Sequence, residues 1–235
     1  PLSGARPAAV IVADGVAAPQ ARVDPAAATH TPLFASPLPA PRVIEVLARY
    51  LAKALAESVE RHGVLMDVLG LGVLTTGESG VGKSELGLEL ISRGHGLVAD
   101  DVVEIPRIAV GTLEGRCPPM LKDFLEVRGL GLLNIRTIFG ETAVRRKMKL
   151  RLITHLQRPA PGGRDLTERL PLTDLSEQIV GVTTRKVIIP VAAGRNLAVL
   201  VEAAVRNQIL KLRGIDPMAE FMARQQRELD GDDEL

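Results

Sequence analysis

The feature that most constrains the fold of this chain is the octet Gly77-Glu78-Ser79-Gly80-Val81-Gly82-Lys83-Ser84. It fits the phosphate-binding loop pattern, in which a glycine and four further residues precede Gly-Lys-Ser or Gly-Lys-Thr. Glycines let the backbone curl so that successive N–H groups point at one anion. A helix that begins at the end of such a loop adds its unpaired N–H groups and the positive end of its dipole. The octet therefore predicts a strand, a tight loop and a helix around the phosphates of a nucleotide.

The residues on either side of the loop agree with this prediction. Gly70 to Thr76 is a short apolar stretch typical of a strand, and the apolar stripe that follows the loop predicts a helix ending near Arg93 and Gly94. We assign Lys83 to the outer phosphates and the Ser84 hydroxyl to a Mg²⁺ ion that bridges them. The alternative is a glycine-rich turn without a ligand, which the agreement of motif and context disfavours.

Composition limits the other classes of function. Hydrophobic residues make up 46% of the 235 residues and aromatic residues only 2%, so the core must consist of aliphatic side chains and alanine. A formal net charge of +1 offers no polybasic surface for nucleic acid or membrane, and no apolar run approaches the roughly 20 residues that span a bilayer. The single Cys117 excludes an internal disulfide and fits a reducing cytoplasm.

The composition and the apolar pattern of the chain change near residue 55. Residues 1–55 combine two short apolar stretches, a run of alternating prolines from Pro37 and a helical pattern from Arg42. We interpret them as the end of one domain and a joining helix, followed by a catalytic domain at 56–229 and an acidic tail at 230–235. Within 56–229 the pattern predicts strands at Glu60 to Val68, Gly96 to Asp101, Val102 to Ile108, Lys149 to Gln157 and Val187 to Val191. It predicts a helix from Gly194 towards Gly214. Loops are expected at Gly111 to Leu125, Glu126 to Asn134 and Arg158 to Asp174.

Two adjacent acids, Asp100 and Asp101, end the strand that follows the loop and its helix. In phosphate-loop enzymes a carboxylate at such a position serves as a metal ligand or a base. Because neighbouring side chains on a strand point to opposite faces, the two acids should have different tasks. One can face the metal and the other the incoming hydroxyl, and the sequence does not say which.

Other polar residues carry weaker signals. Glu126 could be a second Mg²⁺ ligand, but an ion pair with Arg128 is an equally good interpretation. His62 stands alone before an apolar stretch, where a histidine is more often structural than catalytic. Arg169 and Arg195 could each hold a phosphate bidentately or could simply be solvated.

Together these residues resemble the bifunctional HPr kinase/phosphorylase family, also called HPr serine kinase, over about residues 56 to 229. The most specific part is Glu126-Val127-Arg128-Gly129-Leu130-Gly131, which is the signature of that family. The resemblance also includes His62-Gly63-Val64-Leu65, the phosphate loop, Arg93-Gly94-His95, Asp100-Asp101, Glu168-Arg169-Leu170, Ile189-Pro190-Val191 and Gly194-Arg195-Asn196-Leu197-Ala198-Val199.

The resemblance implies an α/β phosphate-loop kinase domain whose nucleotide site is similar to that of phosphoenolpyruvate carboxykinase, after the remnant of a smaller N-terminal α/β domain. It implies that Asp101 accepts the seryl proton and returns it in the reverse reaction, and that His62 supports Asp101. It further implies that Lys83 and Arg169 stabilise the transferring phosphoryl group and that Ser84 and Glu126 hold Mg²⁺. Two segments gain roles in the same way: Leu125, Glu126, Val127, Arg128, Gly129, Leu130, Gly131, Leu132, Leu133 and Asn134 for both reactions, and Pro190, Val191, Ala192, Ala193, Gly194 and Arg195 for dephosphorylation.

The implied substrate is HPr, the phosphocarrier of the sugar phosphotransferase system. ATP or pyrophosphate would phosphorylate one of its serines, inorganic phosphate would remove the group as pyrophosphate, and the enzyme would be a cytoplasmic hexamer. One departure bears on the reverse reaction, because Ala192-Ala193 stands where family members often have Arg-Pro. Two alternatives remain, a carboxykinase-like kinase of a small molecule and an ATP-sensing module without turnover.

Overall fold

A computed structural model describes residues 7–158 and 174–232, and divides the chain into two units, Pro1–Ala56 and Glu57–Leu235. The smaller unit contains β1 (Val10–Val12), α1 (Gln20–Ala28), β2 (Leu33–Ala35) and α2 (Ala40–Ala54). β1 and β2 pair in parallel, so α1 is the crossover between them. Within the described ranges no helix is both long and apolar enough to cross a membrane.

The larger unit is a mixed α/β structure. Its strands are β3 (Ser58–His62), β4 (Val64–Val68), β5 (Leu71–Gly77), β6 (Gly96–Ala99), β7 (Val102–Ala109), β8 (Thr112–Arg116), β9 (Phe124–Val127), β10 (Gly131–Asn134), β11 (Lys147–Gln157), β12 (Leu175–Ile179) and β13 (Val182–Pro190). Its helices are α3 (Lys83–Ser92), α4 (Ile135–Phe139), α5 (Leu197–Leu212) and α6 (Pro217–Asp232).

The main sheet is organised around the long strand β11. The strand order is β3-β7-β8-β11-β5-β4-β6, and β13 with its neighbour β12 joins β11 beyond the end of β8. β5 and β13 both run parallel to β11, while β6 is antiparallel to β4, which is itself antiparallel to β5. β5, β6, β11 and β13 therefore all end at one side of the sheet, which we call the carboxyl edge.

Apolar side chains fill both faces of this sheet. Successive residues point to opposite faces, so Val73 and Leu152 join the cluster beneath α3 and α5, whereas Leu74 and Ile153 join a second cluster. The second cluster is built by the strands themselves, with Ile105 of β7 among its fully buried members. Both clusters consist mainly of leucine, valine, isoleucine and alanine, in keeping with the shortage of aromatic residues.

Several local expectations were wrong. The single strand predicted from Glu60 to Val68 is interrupted at Gly63, because β3 pairs with β7 whereas β4 pairs with β5 and β6. Gly63 passes so close to β5 that an added Cβ would lie 2.5 Å from the carbonyl oxygen of Thr75. The loop predicted from Gly111 to Leu125 contains the strand β8, and the signature stretch forms the hairpin β9–β10.

Three elements of the larger unit carried no sequence prediction, and two predicted segments are only partly described. β12, α4 and α6 were not expected. Residues 159–173, within the predicted surface loop, lie outside the described residues, as do 233–235 of the acidic tail. The preceding residues of that tail belong to α6.

Candidate active site

The phosphate loop joins β5 to α3 at the carboxyl edge. Gly77, Gly80 and Gly82 have φ values of 146°, 70° and 101°, in the region that favours glycine over residues with a Cβ. Gly82 immediately precedes α3, so the free N–H groups of the first helical turn face the concave side of the loop. This is the strand, loop and helix that the octet requires.

Lys83 folds back across the loop. Its Nζ donates hydrogen bonds to the carbonyl oxygens of Gly77 and Glu78, at 3.0 and 2.9 Å. Among the residues that the structure describes, the ammonium group has no acidic partner, so it could exchange these two carbonyl oxygens for phosphate oxygens. This position agrees with the predicted role of Lys83 in binding phosphate.

A sharp bend separates the two adjacent acids. Asp101 has a φ of 64°, and the bend is closed by hydrogen bonds from Val102 N to Asp100 O (2.8 Å) and from Gly63 N to Asp101 O (3.1 Å). Asp100 is 7% exposed, whereas the Asp101 side chain is 71% exposed. The two carboxylates lie in different environments because of this bend between β6 and β7, rather than because of alternation along one strand.

Asp100 faces the first turn of α3. One carboxylate oxygen accepts a hydrogen bond from Ser84 Oγ at 3.3 Å, and the other accepts one from the backbone N–H of Glu126 at 2.8 Å. Burial raises the pKa of Asp100 above its usual range, and this effect outweighs the hydrogen bonds that favour the charged form. A desolvated carboxylate beside a serine hydroxyl is a place where a cation would be stabilising.

The oxygen atoms around Asp100 fit Mg²⁺. Ser84 and Asp100 supply a hydroxyl and a carboxylate, and Glu126 carries a second carboxylate that is exposed. Among the described residues no cluster of three or more histidine, cysteine, aspartate or glutamate side chains could hold a metal alone. Mg²⁺ commonly takes one or two carboxylates and completes its shell with water and substrate phosphates, so this donor set suffices. The sequence left open an ion pair between Glu126 and Arg128. The structure describes both side chains and shows no ion pair between them.

The Asp101 side chain faces His62 at the solvent-exposed surface. His62 ends β3, directly opposite Val102 at the start of β7, and its Nδ1 lies 3.6 Å from Asp101 Oδ1. The His62 side chain is 84% exposed, so the pair is accessible to a large incoming group. The sequence suggested His62 only through the family resemblance, and the structure places it beside Asp101.

Two arginines lie against Gly80. The terminal nitrogens of Arg128, on the β9–β10 hairpin, are 3.3 Å from where a Cβ on Gly80 would stand. Arg158, directly after β11, donates a hydrogen bond from Nη2 to the Gly80 carbonyl oxygen. Sequence reasoning missed Arg158, because no motif marks it. Its position at the end of a strand parallel to β5 is the signal that could have revealed it.

The segment from Pro190 to Arg195 reaches the same carboxyl edge. It follows β13, and Val191 N donates to the carbonyl oxygen of Gln157 at the end of β11 (2.8 Å). The fold therefore brings this segment and the phosphate loop to one side of the sheet. Leu125 and Val127 are buried in the core, which turns Glu126 outwards. Arg169 lies outside the described residues.

Comparison with known proteins identifies the family. The sequence profile of the HPr Serine kinase C-terminal domain matches residues 53–225. The chain belongs to the HPr serine kinase family. The resemblance noted from the sequence is thereby confirmed.

Individual relatives and a solved structure agree with this assignment. The chain is 62% identical to the HPr kinase/phosphorylase of Bordetella petrii over 217 residues, which are 92% of this chain and 70% of the relative. It is 60% identical to that of Azoarcus sp. over 231 residues, 98% of this chain and 74% of the relative. The structure of the Hpr(Ser) kinase/phosphatase from Coxiella burnetii matches with a TM-score of 0.60 and 36% identity, over 69% of this chain and 98% of that one. This match supports the mixed α/β fold.

Proposed function

We propose that this chain is a bifunctional HPr kinase/phosphorylase. It phosphorylates a serine of HPr with ATP or pyrophosphate, and it removes the group with inorganic phosphate to give pyrophosphate. The observation that carries this proposal is the pairing of a phosphate loop with two differently placed acids at one edge of the sheet. Asp100 is buried beside Ser84, and Asp101 is exposed beside His62.

Nucleotide binding uses the loop and the cations around it. The loop N–H groups and Lys83 hold the phosphates, and Arg128 and Arg158 add positive charge at Gly80. Ser84, Asp100 and Glu126 are the residues that would hold Mg²⁺. The ion, when bound, neutralises charge on the phosphate oxygens. This arrangement of an acid pair after the loop supports a phosphate-loop kinase site similar to that of phosphoenolpyruvate carboxykinase.

Proton transfer falls to Asp101. In the forward reaction the seryl oxygen bonds to the γ-phosphorus, the bond from that phosphorus to the β-phosphate oxygen breaks, and Asp101 takes the seryl proton. In the reverse reaction inorganic phosphate attacks the phosphoserine phosphorus, and Asp101 returns the proton to the leaving seryl oxygen while pyrophosphate forms. His62 holds Asp101 in place for both directions.

Exposure of the acid favours a protein as substrate. Sites for small molecules usually enclose most of the ligand surface. Here the Asp101 and His62 side chains are 71% and 84% exposed, which suits a serine presented on the surface of another protein. This geometry ranks HPr above a metabolite as the phosphate acceptor.

Other parts of the proposal rest on the family alone. We assign Arg169 to stabilisation of the transferring phosphoryl group and Pro190 to Arg195 to dephosphorylation. We also propose that residues 1–55 are the end of a smaller N-terminal domain, that 56–229 form the catalytic domain, and that the enzyme works as a hexamer in the cytoplasm.

A radiolabel assay tests the proposal. The chain is incubated with γ-labelled ATP, Mg²⁺ and purified HPr, and then with or without inorganic phosphate. We expect label on an HPr serine, and its release as pyrophosphate when phosphate is added. Asp101→Asn should abolish transfer while ATP still binds. Label on a metabolite instead of HPr, or ATP binding without any transfer, would replace the proposal by one of the two alternatives.

A further inference from the structure

A polar cluster outside the reaction centre joins α3 to α5. The His95 side chain is only 8% exposed, and its Nε2 lies 2.9 Å from Glu202 Oε1 on α5. Because a carboxylate can only accept, Nε2 carries the proton and donates it. The other Glu202 oxygen lies 3.4 Å from Arg93 Nη1, and Arg93 also donates to Asn196 Oδ1 at 3.4 Å. We call these four residues, Arg93, His95, Glu202 and Asn196, the helix clamp.

The clamp connects two parts of the candidate active site. α3 begins with Lys83 and Ser84 of the phosphate loop, and Arg93 and His95 lie at its other end. Asn196 directly follows Arg195, and its side chain accepts a hydrogen bond from Val199 N (3.0 Å) at the start of α5. The helix α3 and the contact between Arg93 and Asn196 therefore connect the phosphate loop to the end of the Pro190 to Arg195 segment.

Within the described parts of the chain, few hydrogen bonds hold that segment in place. Val191 N is bonded to Gln157 O at one end, and inside the segment Arg195 N reaches Ala192 O at 3.2 Å. Ala192 and Ala193 are exposed and have no polar side-chain atoms, and an alanine does not restrict φ as a proline would. The position of Arg195, the single cation of the segment, therefore depends on Asn196 and on what holds Asn196.

We propose that the helix clamp is a positioning device for the reverse reaction. It restricts the position of Arg195, which lies next to Asn196 in the segment that the proposed function assigns to dephosphorylation, and so it affects phosphorolysis more than phosphorylation. This inference rests on the proposed function, because it takes the Pro190 to Arg195 segment to serve dephosphorylation. His95, Glu202 and Arg93 act through Arg195 and touch no reacting atom.

The test compares both directions in matched variants. His95→Leu removes the buried donor, whereas His95→Gln keeps an N–H at a similar reach. Arg93→Met cuts the link to Asn196 at a side chain that is 32% exposed, so it leaves no buried charge unpaired and should fold even if His95→Leu does not. Glu89→Gln is the control, because it removes the other ion pair of Arg93 (2.8 Å), which lies within α3 and does not reach α5.

The readouts are KM for inorganic phosphate, KM for ATP and kcat in each direction, with thermal denaturation as a check on folding. We expect His95→Leu and Arg93→Met to raise KM for phosphate by about five- to tenfold, which is the size of effect expected for the loss of one typical hydrogen bond. KM for ATP and the kinase kcat should stay within about twofold, as should all parameters of His95→Gln and Glu89→Gln.

The outcomes separate this inference from the proposed function. Equal losses in both directions would mean a general structural role, and unchanged phosphorolysis would mean no role, so either result overturns the inference. A wild-type chain that phosphorylates HPr but performs no phosphorolysis would refute the reverse half of the proposed function, and the inference with it. A wild-type chain with neither activity would refute the proposed function itself.

Discussion

Replacement of Asp100 by asparagine should change stability and activity in opposite directions. The carboxylate is 7% exposed and accepts hydrogen bonds from Ser84 Oγ and from the Glu126 N–H. An asparagine of the same shape can keep both, since its oxygen accepts from Glu126 N and its amide donates to the Ser84 hydroxyl. The substitution therefore removes mainly the buried charge.

The sign of the stability change follows from the pKa of Asp100. Burial raises that pKa above the ordinary value of 3.8, so the folded protein binds the proton more tightly than the unfolded chain does. The stabilisation that this proton provides is full at low pH and is lost as the pH rises through the folded-state pKa. At pH 7 the folded state carries a net cost of charge burial that exceeds the stabilisation from the hydrogen bonds to Asp100, and asparagine does not have this cost.

The size of the effect is on the order of 1 kcal/mol, because the lost charge assistance of two hydrogen bonds offsets part of the relief from desolvation. For a chain of this length that corresponds to a rise in Tm of about 2–4 °C at pH 7. The rise should shrink as the pH falls through the raised folded-state pKa of Asp100, because the buried carboxyl group of the wild type is then protonated and uncharged. Kinase activity should fall by about 10²-fold or more, in line with the loss of a preorganised charge at the reaction centre.

The assay combines thermal denaturation between pH 4 and 7.5 with steady-state phosphorylation of HPr over a range of Mg²⁺ concentrations. Adding ATP and Mg²⁺ should raise the Tm of the wild type by more than that of the variant, because the carboxylate would no longer meet the cation. A variant that is less stable than the wild type at pH 7 would refute the argument about buried charge. A variant with unchanged kcat and unchanged Mg²⁺ requirement would refute the placement of Asp100 at the metal.

Four further substitutions test other residues of the candidate active site. Asp101→Asn should lower the kinase kcat by about 10²–10⁴-fold, with the ATP affinity measured by calorimetry unchanged. His62→Gln should lower kcat by no more than about fivefold, because an ion pair between exposed side chains contributes at most about 1 kcal/mol. A larger effect of His62→Gln would mean that the pair closes when HPr binds. Arg158→Gln should weaken ATP binding by about tenfold, and less so at high salt, and unchanged affinity would show that its contact with Gly80 is structural. Glu126→Gln should raise the Mg²⁺ concentration for half-maximal activity severalfold without changing ATP affinity at saturating Mg²⁺, and an unchanged requirement would exclude it as a ligand.

The parts of the fold that local signals specify were predictable from the sequence. The phosphate loop carries its glycines, lysine and serine in one octet, and α3 begins at Lys83 and stops just before Gly94, as the pattern indicated. α5 likewise begins after the capping residue Asn196 and ends before Gly214. In each case the residues that fix the ends lie within or beside the element.

Elements that depend on distant partners were missed. β8 contains Glu114 and Gly115, which are weak strand formers, and it exists because it pairs with both β7 and β11. The buried Glu114 carboxylate accepts a hydrogen bond from Lys147 at 2.7 Å, and Lys147 lies 33 positions further along the chain. β12 is an edge strand with the polar residues Ser176, Glu177 and Gln178 at its centre, so it shows no strong apolar alternation. A pattern read over neighbouring residues does not reveal strand partners that lie far along the chain.

The candidate site shows the same difference between features that local sequence specifies and features that depend on distant residues. The sequence predicted that Asp100 and Asp101 are a functional pair but could not separate their tasks, since the neighbours that distinguish them are Ser84, Glu126 and His62. Only the fold brings those neighbours together. The role of His62 came from the family resemblance, which carries information about such contacts that one sequence does not.

The bend at Asp101 also decides how the two acids should be tested. A φ of 64° is costly for most residues, by about 1 kcal/mol or more, but aspartate and asparagine tolerate it better than others do. An alanine at this position would combine the loss of the carboxylate with a strained backbone, and relief of that strain could displace Asp100 from Ser84. Asparagine retains the left-handed conformation and the hydrogen bond from Gly63 N to the main chain. A loss of activity in Asp101→Asn can therefore be attributed to the proton acceptor, whereas a loss in Asp101→Ala could arise from either acid.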